Sequence, residues 1–243
     1  MSSLKPEDRV IVALDTASLE TLEIWLKELQ GVVTFYKVGF ELFTAHGWEA
    51  VKRVRQSGRR IFLDLKLHDI PTTVAKTAAV LCENEIDMFN VHALGGLEMM
   101  KRTCETVREC SQGKKKPVVL AVTVLTSHAE AELSRDLGIQ GKLKDQVLKL
   151  AQLARKAGLD GVVCSPQEIA LLRKELPPDF LLVTPGIRSQ SSDPEDQKRT
   201  LSPKEALAAG ADYLVIGRPI TAFANPRQKA VELIASLGQN LAA

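Results

Sequence analysis

Eight short runs of apolar and β-branched residues, each followed by a stretch with helical periodicity, extend along the 243-residue chain. Strands that alternate with helices in this way indicate a parallel sheet whose outer face is covered by the helices. Eight such units in about 250 residues match a closed (β/α)8 barrel, the TIM-barrel fold. The predicted strands cover residues 10–15, 35–39, 60–66, 88–93, 118–125, 161–165, 181–185 and 213–218. We therefore predict an α/β fold with one TIM-barrel domain over residues 1–243.

The helices are predicted from capping residues, prolines and periodicity. They comprise a helix capped by Ser18 that runs through residue 30, a helix that ends near Gly58, a helix from Pro71, a helix after Gly95-Gly96 up to Cys110, a helix over 143–157, a short helix from Pro166 and a final helix from Pro219. A doubly wound open sheet is the alternative architecture, but it usually carries a G-x-G-x-x-G turn after its first strand. Here that turn reads Asp15-Thr-Ala-Ser, without glycine. The closed barrel is therefore favoured.

Composition and charge narrow the possible partners. Apolar residues make up 45% and charged residues 26% of the chain, which is typical of a globular protein. The formal net charge of +2 gives no reason to expect nucleic acid or an anionic membrane as a partner. The N-terminal residues have no apolar core like that of a signal peptide, and no segment approaches 18 uninterrupted apolar residues. We expect a cytoplasmic protein.

The cysteines and histidines give no metal-binding pattern. The four cysteines, Cys82, Cys104, Cys110 and Cys164, show no C-x-x-C spacing, and no two of the four histidines are spaced i, i+4. Free thiols in a reducing compartment are therefore expected, rather than disulfides or a zinc site.

The third predicted strand carries two charges where a core strand should be apolar. Side chains two apart in a strand share a face, so Asp64 and Lys66 point the same way, opposite Ile61, Leu63 and Leu65. Buried charges must be paired or have a function. The pair is either a structural ion pair at a strand end or part of a charged site at the mouth of a pocket.

The other strand ends favour the functional interpretation. In a TIM barrel the active site lies where the strands end at their C-termini. Charged residues recur there, and they comprise Asp15, Lys37, Asp64, Lys66, Asp69, Arg188 and Arg218. Loops after the seventh and eighth strands commonly bind phosphate in such barrels, which favours Arg188, Gly217 and Arg218 as an anion site at a helix start. The long polar loop over 186–200, which carries Gln197, is predicted to be a lid over a bound phosphate.

The alternation of charges on the second and third strands limits the chemistry. A lysine that forms a Schiff base needs a depressed pKa, whereas adjacent carboxylates favour the charged ammonium. The order Lys37, Asp64, Lys66, Asp69 therefore argues against a class I aldolase and for proton donation with electrostatic control.

The segment Asp64-Leu-Lys-Leu-His-Asp-Ile-Pro-Thr-Thr73 resembles the D-x-K-x-x-D-I-P signature of the orotidine 5′-phosphate decarboxylase family. Further segments resemble that family in its order: Ala13-Leu-Asp15, Tyr36-Lys-Val-Gly39, Asn90-Val-His-Ala-x-Gly-Gly96, Val122-Thr-Val-Leu-Thr-Ser127, Pro185-Gly-Ile-Arg188 and Ile216-Gly-Arg-Pro219. The resemblance covers nearly the whole chain and is greatest to the bacterial single-function form. It implies conversion of orotidine monophosphate to UMP and CO2 without a metal or an organic cofactor.

The resemblance also implies roles for individual residues. Lys37, Asp64, Lys66 and Asp69 resemble the family's charged network, with Lys66 as the proton donor to C6. The substrate contacts it implies are Asp15 and Lys37 at the ribose, Thr126 near the pyrimidine amide, and Gln197, Gly217 and Arg218 at the phosphate. Asp64 would lie close to the departing carboxylate. In the family Asp69, Ile70 and Thr73 reach into the partner's site, which implies a homodimer.

Other functions remain open at this stage. Another phosphate-binding barrel enzyme is the nearest alternative, such as a metal-dependent 3-keto-gulonate-phosphate decarboxylase or a pentose-phosphate epimerase. A non-catalytic nucleotide-binding barrel is a further alternative. It fits less well, because paired buried charges cost stability and are unnecessary for binding alone.

Overall fold

The structure is a computed structural model that describes residues 4–128, 130–187 and 201–238. Its strands are β1 (Val10–Ala13), β2 (Phe35–Gly39), β3 (Arg60–Leu67), β4 (Met88–His92), β5 (Val118–Val122), β6 (Gly161–Val163), β7 (Leu181–Thr184) and β8 (Tyr213–Ile216). Each strand is parallel to the next one along the chain, and β8 pairs with β1 to close the sheet. The predicted (β/α)8 barrel is confirmed.

Helices follow the strands along the chain. In the described ranges they are α1 (Leu19–Glu28), α2 (Phe40–His46), α3 (Trp48–Gln56), α4 (Pro71–Glu83), α5 (Gly96–Cys110), α6 (Glu130–Leu137), α7 (Leu143–Ala157), α8 (Ile169–Glu175), α9 (Pro203–Ala208), α10 (Arg218–Thr221) and α11 (Pro226–Gly238). None of these helices combines the length and the apolar character that a membrane span requires. The Ser18 cap is confirmed, since its side chain accepts the N–H of Thr21.

The single helix predicted between the second strand and Gly58 is wrong. The segment is divided into α2 and α3 at Gly47, whose φ of 54° and ψ of −133° are not helical. Phe43 and Trp48 pack edge to face across the break, with ring centroids 5.8 Å apart. The apolar residues on either side kept a helical pattern, so the periodicity did not reveal the interruption.

The end of the chain also differs from the prediction. The final helix does not begin at Pro219, because the four-residue α10 ends at Thr221 and α11 begins at Pro226. Helix α9 was not predicted, although Ser202 and Glu205 form a capping box at its start. That spacing, a serine followed three residues later by a glutamate, is the sequence signal that could have found it.

The apolar core has two layers, inside and outside the barrel. Residues of one parity on each strand fill the interior, and they include Ile11, Ala13, Phe35, Phe62, Met88, Leu120, Val183, Tyr213 and Val215. Residues of the other parity, such as Val12, Tyr36 and Leu63, belong to the core beneath the helices. Because strand side chains alternate, the residues that extend the interior rows toward the C-terminal ends must also point inward.

Aspartates at the N-terminal end of the barrel join neighbouring strands. Each precedes a strand and accepts a backbone N–H from the strand before it: Asp87 from Ile61 at 2.9 Å, Asp160 from Val119 at 2.8 Å and Asp212 from Leu182 at 2.8 Å. Each carboxylate also pairs with a cationic side chain. These contacts stabilise the end of the barrel opposite the predicted site.

Candidate active site

A polar layer lies directly above the apolar interior at the C-terminal end of the barrel. Lys37, Asp64 and Asn90 are on three adjacent strands, and each comes two residues after an interior apolar residue. Their side chains are therefore directed into the barrel. Lys37 is 8% exposed and Asn90 1% exposed, so this layer is almost closed to solvent from the sides. The sequence prediction that Lys37 and Asp64 meet at one mouth is confirmed in position.

Lys37 connects two carboxylates. Its Nζ lies 2.9 Å from Asp15 Oδ1 and 3.7 Å from Asp64 Oδ2. Gly39 provides the space for this ammonium, since a Cβ atom at residue 39 would lie 2.6 Å from Lys37 Nζ. The first three strands thus bring one cation between two anions.

Asp64 is the most highly connected group of the site. Its Oδ1 accepts hydrogen bonds from Lys66 Nζ at 2.7 Å and from Asn90 Nδ2 at 2.7 Å. Burial alone would raise the pKa of Asp64, but Lys37, Lys66 and the two hydrogen bonds together lower it below its ordinary value. Asp64 is therefore an anion at neutral pH. Asp64 and Lys66 meet as predicted, but not through the regular strand alternation that predicted it, because Lys66 lies at an irregularity of β3.

Lys66 has an unusual backbone. Its φ of 46° lies in the left-handed region, which costs a residue with a side chain about 1–2 kcal/mol. The pairing of β3 with β4 shifts register between Leu63 and Leu67, so Lys66 sits at an irregularity in the ladder. Its N–H donates to Asn90 Oδ1 at 2.8 Å. Backbone strain at a polar site is often part of how that site is organised.

A cavity of about 880 Å³ opens above these residues. Seven of the predicted site residues line it: Asp15, Lys37, Asp64, Lys66, Thr126, Gly217 and Arg218. Apolar side chains, among them Val122 and Val124, line it as well. A cavity of this size, with a few charged groups on an apolar wall, suits a nucleotide-sized ligand.

Gly217 and Arg218 lie at one side of this cavity, after β8. The expected help from a helix dipole is weak, because Arg218 begins a helix of only four residues rather than the long final helix. A Cβ atom at Gly217 would lie 3.4 Å from Ala13 Cβ, so neighbouring protein atoms do not themselves require glycine there. Arg188 and Gln197, with residues 188–200 of the predicted lid, lie outside the described residues.

Asp69 and Thr73 do not line the large cavity. They line a smaller one of about 330 Å³ on the other side of Lys66, which borders both. The Asp69 carboxylate accepts the N–H of Ile70 at 2.6 Å, and the Ile70 side chain is 64% exposed. Within one chain, therefore, Asp69 shares a cavity with Lys66 but not with Lys37 or Asp64.

Two histidines adjoin the site without entering the large cavity. His68 and His92 stack with ring centroids 5.4 Å apart. Burial, together with the nearby His68, Lys66 and His128, lowers the pKa of His92 to about 4. His92 is consequently neutral at physiological pH, and its Nδ1 accepts the N–H of Leu94 at 3.4 Å.

Asn90 and Gly39 are site residues to which the sequence interpretation gave no role. The signal for Asn90 was its place on the interior row of a strand end, two residues after Met88. Gly39 gave a weaker signal, because its function depends on where the Lys37 ammonium lies. The four cysteines are free thiols, as predicted.

Comparisons with known proteins agree with the fold and the motifs. The family model described as "Orotidine 5′-phosphate decarboxylase / HUMPS family" matches residues 8–233. Curated orotidine 5′-phosphate decarboxylases of Geobacter metallireducens and Geotalea uraniireducens are 47% and 48% identical to this chain, over 96% and 93% of it and over 97% and 93% of their own lengths. The crystal structure of orotidine 5′-phosphate decarboxylase from Lactobacillus acidophilus matches with a TM-score of 0.83 and 39% identity, over 95% of this chain and 98% of that one.

Proposed function

This chain belongs to the orotidine 5′-phosphate decarboxylase / HUMPS family, and we propose that it converts orotidine 5′-monophosphate to UMP and CO2. It is a carboxy-lyase, as its curated relatives are. The family model covers more than one activity by its description, so the choice of substrate rests on those relatives and on the site. The observation that carries the proposal is the Asp64–Lys66 pair, 2.7 Å apart at the edge of a nucleotide-sized cavity.

Lys66 is the proton donor in this proposal. Cleavage of the bond between C6 and the carboxylate releases CO2 and leaves an electron pair in the plane of the pyrimidine ring, which the ring's π-system cannot delocalise. A fixed ammonium stabilises that charge as it develops and then gives its proton to C6. The lysine regains a proton from water after UMP leaves. No other reactant is needed to balance the step.

Asp64 has a second role close to the departing carboxylate. Two negative charges about 4 Å apart repel by roughly 4 kcal/mol at an effective dielectric constant near 20. Enzymes typically lower barriers by about 8–23 kcal/mol, so this repulsion assists the reaction without accounting for it. Stabilisation of the transition state by Lys66 therefore has the larger share. The lowered pKa of Asp64 supports this role, because the carboxylate must be charged.

The remaining contacts orient the nucleotide. Asp15 and Lys37, paired at 2.9 Å, are suited to the ribose hydroxyls, since one accepts and the other donates hydrogen bonds. Thr126 is proposed to lie near the pyrimidine amide. Arg218 and Gly217 are proposed to hold the phosphate together with Arg188 and Gln197, and the lid over 186–200 to close on it. Phosphate binding remote from C6 would provide energy to organise the site.

A homodimer completes the proposed network. A large apolar side chain is exposed shortly after each of four successive strands, β2 to β5: Phe40, Ile70, Leu94 and Leu125. Exposed apolar residues at neighbouring strand ends favour a protein partner. We propose a second copy of this chain, with Asp69, Ile70 and Thr73 of one copy at the site of the other. Asp69 would then approach Lys66 from the partner, which accounts for its separation from the large cavity of its own chain.

We place the enzyme in the cytoplasm, in keeping with its four free thiols. The direct test of the function is loss of orotidine monophosphate absorbance when purified protein is added in buffer that contains EDTA. Turnover that resists the chelator is expected. Turnover that the chelator abolishes would favour the metal-dependent sugar-phosphate decarboxylase, and UMP binding without turnover would favour a non-catalytic barrel.

A further inference from the structure

Both polar atoms of the Asn90 side-chain amide form hydrogen bonds, one to each of the two residues at the centre of the proposed chemistry. Its Nδ2 donates to Asp64 Oδ1 at 2.7 Å, and its Oδ1 accepts the backbone N–H of Lys66 at 2.8 Å. The orientation of the amide is fixed by chemistry, because a carboxylate can only accept and an N–H can only donate. Asn90 is 1% exposed, so water does not compete for either bond.

The first of these bonds holds the carboxylate. Asp64 Oδ1 receives two donors, one on the long flexible side chain of Lys66 and one on the short side chain of Asn90. A buried asparagine has few rotamers and a strand beneath it, so its donor position is fixed. Without the Asn90 hydrogen bond, the Asp64 carboxylate could rotate so that both of its oxygens face Lys66 or Lys37. The Lys66 ammonium would then move with the carboxylate.

The second bond holds the backbone. The β3–β4 ladder loses its register between Leu63 and Leu67, so the regular pattern of backbone acceptors is interrupted at Lys66. Asn90 Oδ1 supplies an acceptor there, on a residue whose φ of 46° is otherwise costly. From this left-handed residue the Lys66 side chain reaches Asp64, with Nζ 2.7 Å from Oδ1.

We infer that Asn90 is a positioning residue for the proposed decarboxylation, which fixes the Asp64 carboxylate and the Lys66 backbone through one amide. The inference rests on the proposed function. Asn90 does not line the large cavity, so in this inference it acts only through these two residues. The competing explanation is that Asn90 merely satisfies buried polar groups, in which case its loss lowers stability without a specific effect on the chemical step.

Two substitutions separate these explanations. Asn90→Leu keeps the branched shape of the side chain and removes both hydrogen bonds, and it is expected to lower kcat about 100-fold while UMP affinity is nearly unchanged. In Asn90→Asp, an ionised carboxylate beside Asp64 repels it, whereas a protonated one donates to Asp64 and accepts from Lys66 as the amide does. The kcat of Asn90→Asp relative to wild type should therefore rise as pH falls from 8 to about 5, and that of Asn90→Leu should not.

Thr103→Val is the matched control, because Thr103 is also fully buried and loses one hydrogen bond, to Met99 O within α5. It should change the melting temperature and leave kcat alone. Wild-type kcat in Asn90→Leu, or a constant ratio for Asn90→Asp across this pH range, would overturn the inference. If Asn90→Leu does not fold, the titration of Asn90→Asp decides, with UMP binding as the check that each sample is folded. Failure of the wild type to consume orotidine monophosphate would instead refute the proposed function.

Discussion

The ammonium of Lys37 occupies the space that a side chain at Gly39 would fill, since a Cβ atom there would lie 2.6 Å from Lys37 Nζ. The two residues are on the same strand and on the same face, and the glycine leaves the lysine free to reach Asp15 and Asp64. A residue without a side chain is thus part of the geometry of the charged site. It also makes the placement of Lys37 testable without changing any charge.

Gly39→Ala should lower kcat/KM about 10–100-fold, because the added methyl group displaces the ammonium from its two carboxylates. The free energy of unfolding should change little, because the φ of −102° at Gly39 suits any residue and the restriction of the unfolded chain by alanine offsets part of the cost of a weakened ion pair. Steady-state kinetics and thermal unfolding measure the two effects. In a Lys37→Ala background the methyl group has nothing to displace, so a full additional loss there would contradict this account.

Arg218→Ala tests the phosphate corner. The dissociation constant of UMP should rise about 10–100-fold, because a hydrogen-bonded charge pair with the phosphate is lost, while that of uridine should change little. Titration calorimetry with both ligands gives the comparison. Arg227→Ala is the matched control. Within the described residues, the Arg227 side chain donates only to the backbone oxygens of Glu28 and Gln30. Equal weakening of UMP and uridine would mean that the phosphate binds elsewhere.

Mixed dimers test whether Asp69 serves the partner. Lys66→Ala and Asp69→Ala should each be inactive alone, yet a heterodimer of the two has one site with both residues intact. Random mixing makes half of the dimers mixed, so about a quarter of the wild-type activity should return. Lys66→Ala mixed with Lys37→Ala is the control, because those residues share one cavity and no intact site forms. No recovery in the first mixture would place Asp69 in its own chain's site. Recovery in the control would mean instead that Lys37 and Lys66 serve different sites.

Stability should depend on the protonation of His92. Its pKa of about 4 in the fold lies below the ordinary 6.5, so the unfolded chain binds the proton more tightly. The neutral form of His92 therefore contributes fully to the free energy of unfolding above pH 6.5, and this contribution is lost as pH falls toward 4. About 1–3 kcal/mol is expected once solvent screening is allowed for. His92→Asn can still accept the Leu94 N–H but does not titrate, so urea unfolding at pH 7.5 and 4.5 should show a smaller loss than in wild type. An equal loss would contradict the assignment.

Much of the fold was predictable because each strand is a short apolar run with a clear boundary. β2 was predicted over its full range, and the positions of Asp15, Lys37, Asp64 and Lys66 follow from strand ends that meet at one mouth. Alternation of side chains is a local property of a strand, so it can be predicted from the sequence without knowledge of the tertiary structure.

The parts that failed depend on contacts or on interruptions of a pattern. The break at Gly47 leaves the apolar periodicity almost intact, and α10 is too short to have one. The role of Asn90 needs the register shift in β3 and the left-handed backbone of Lys66, which no local pattern shows. The position of Asp69 relative to a site is a matter of assembly, so the sequence could suggest it only through the family resemblance.

In the proposed mechanism Lys66 carries out the chemical step, while other residues bind the nucleotide. Turnover of saturating orotidine monophosphate by Lys66→Ala, measured together with the affinity of the same protein for UMP, separates these two roles. We predict a loss of kcat of at least about 1000-fold, because both the proton donor and the charge that stabilises the carbanion are gone. UMP should still bind tightly, which shows that the cavity is intact. Turnover near the wild-type rate would contradict the account.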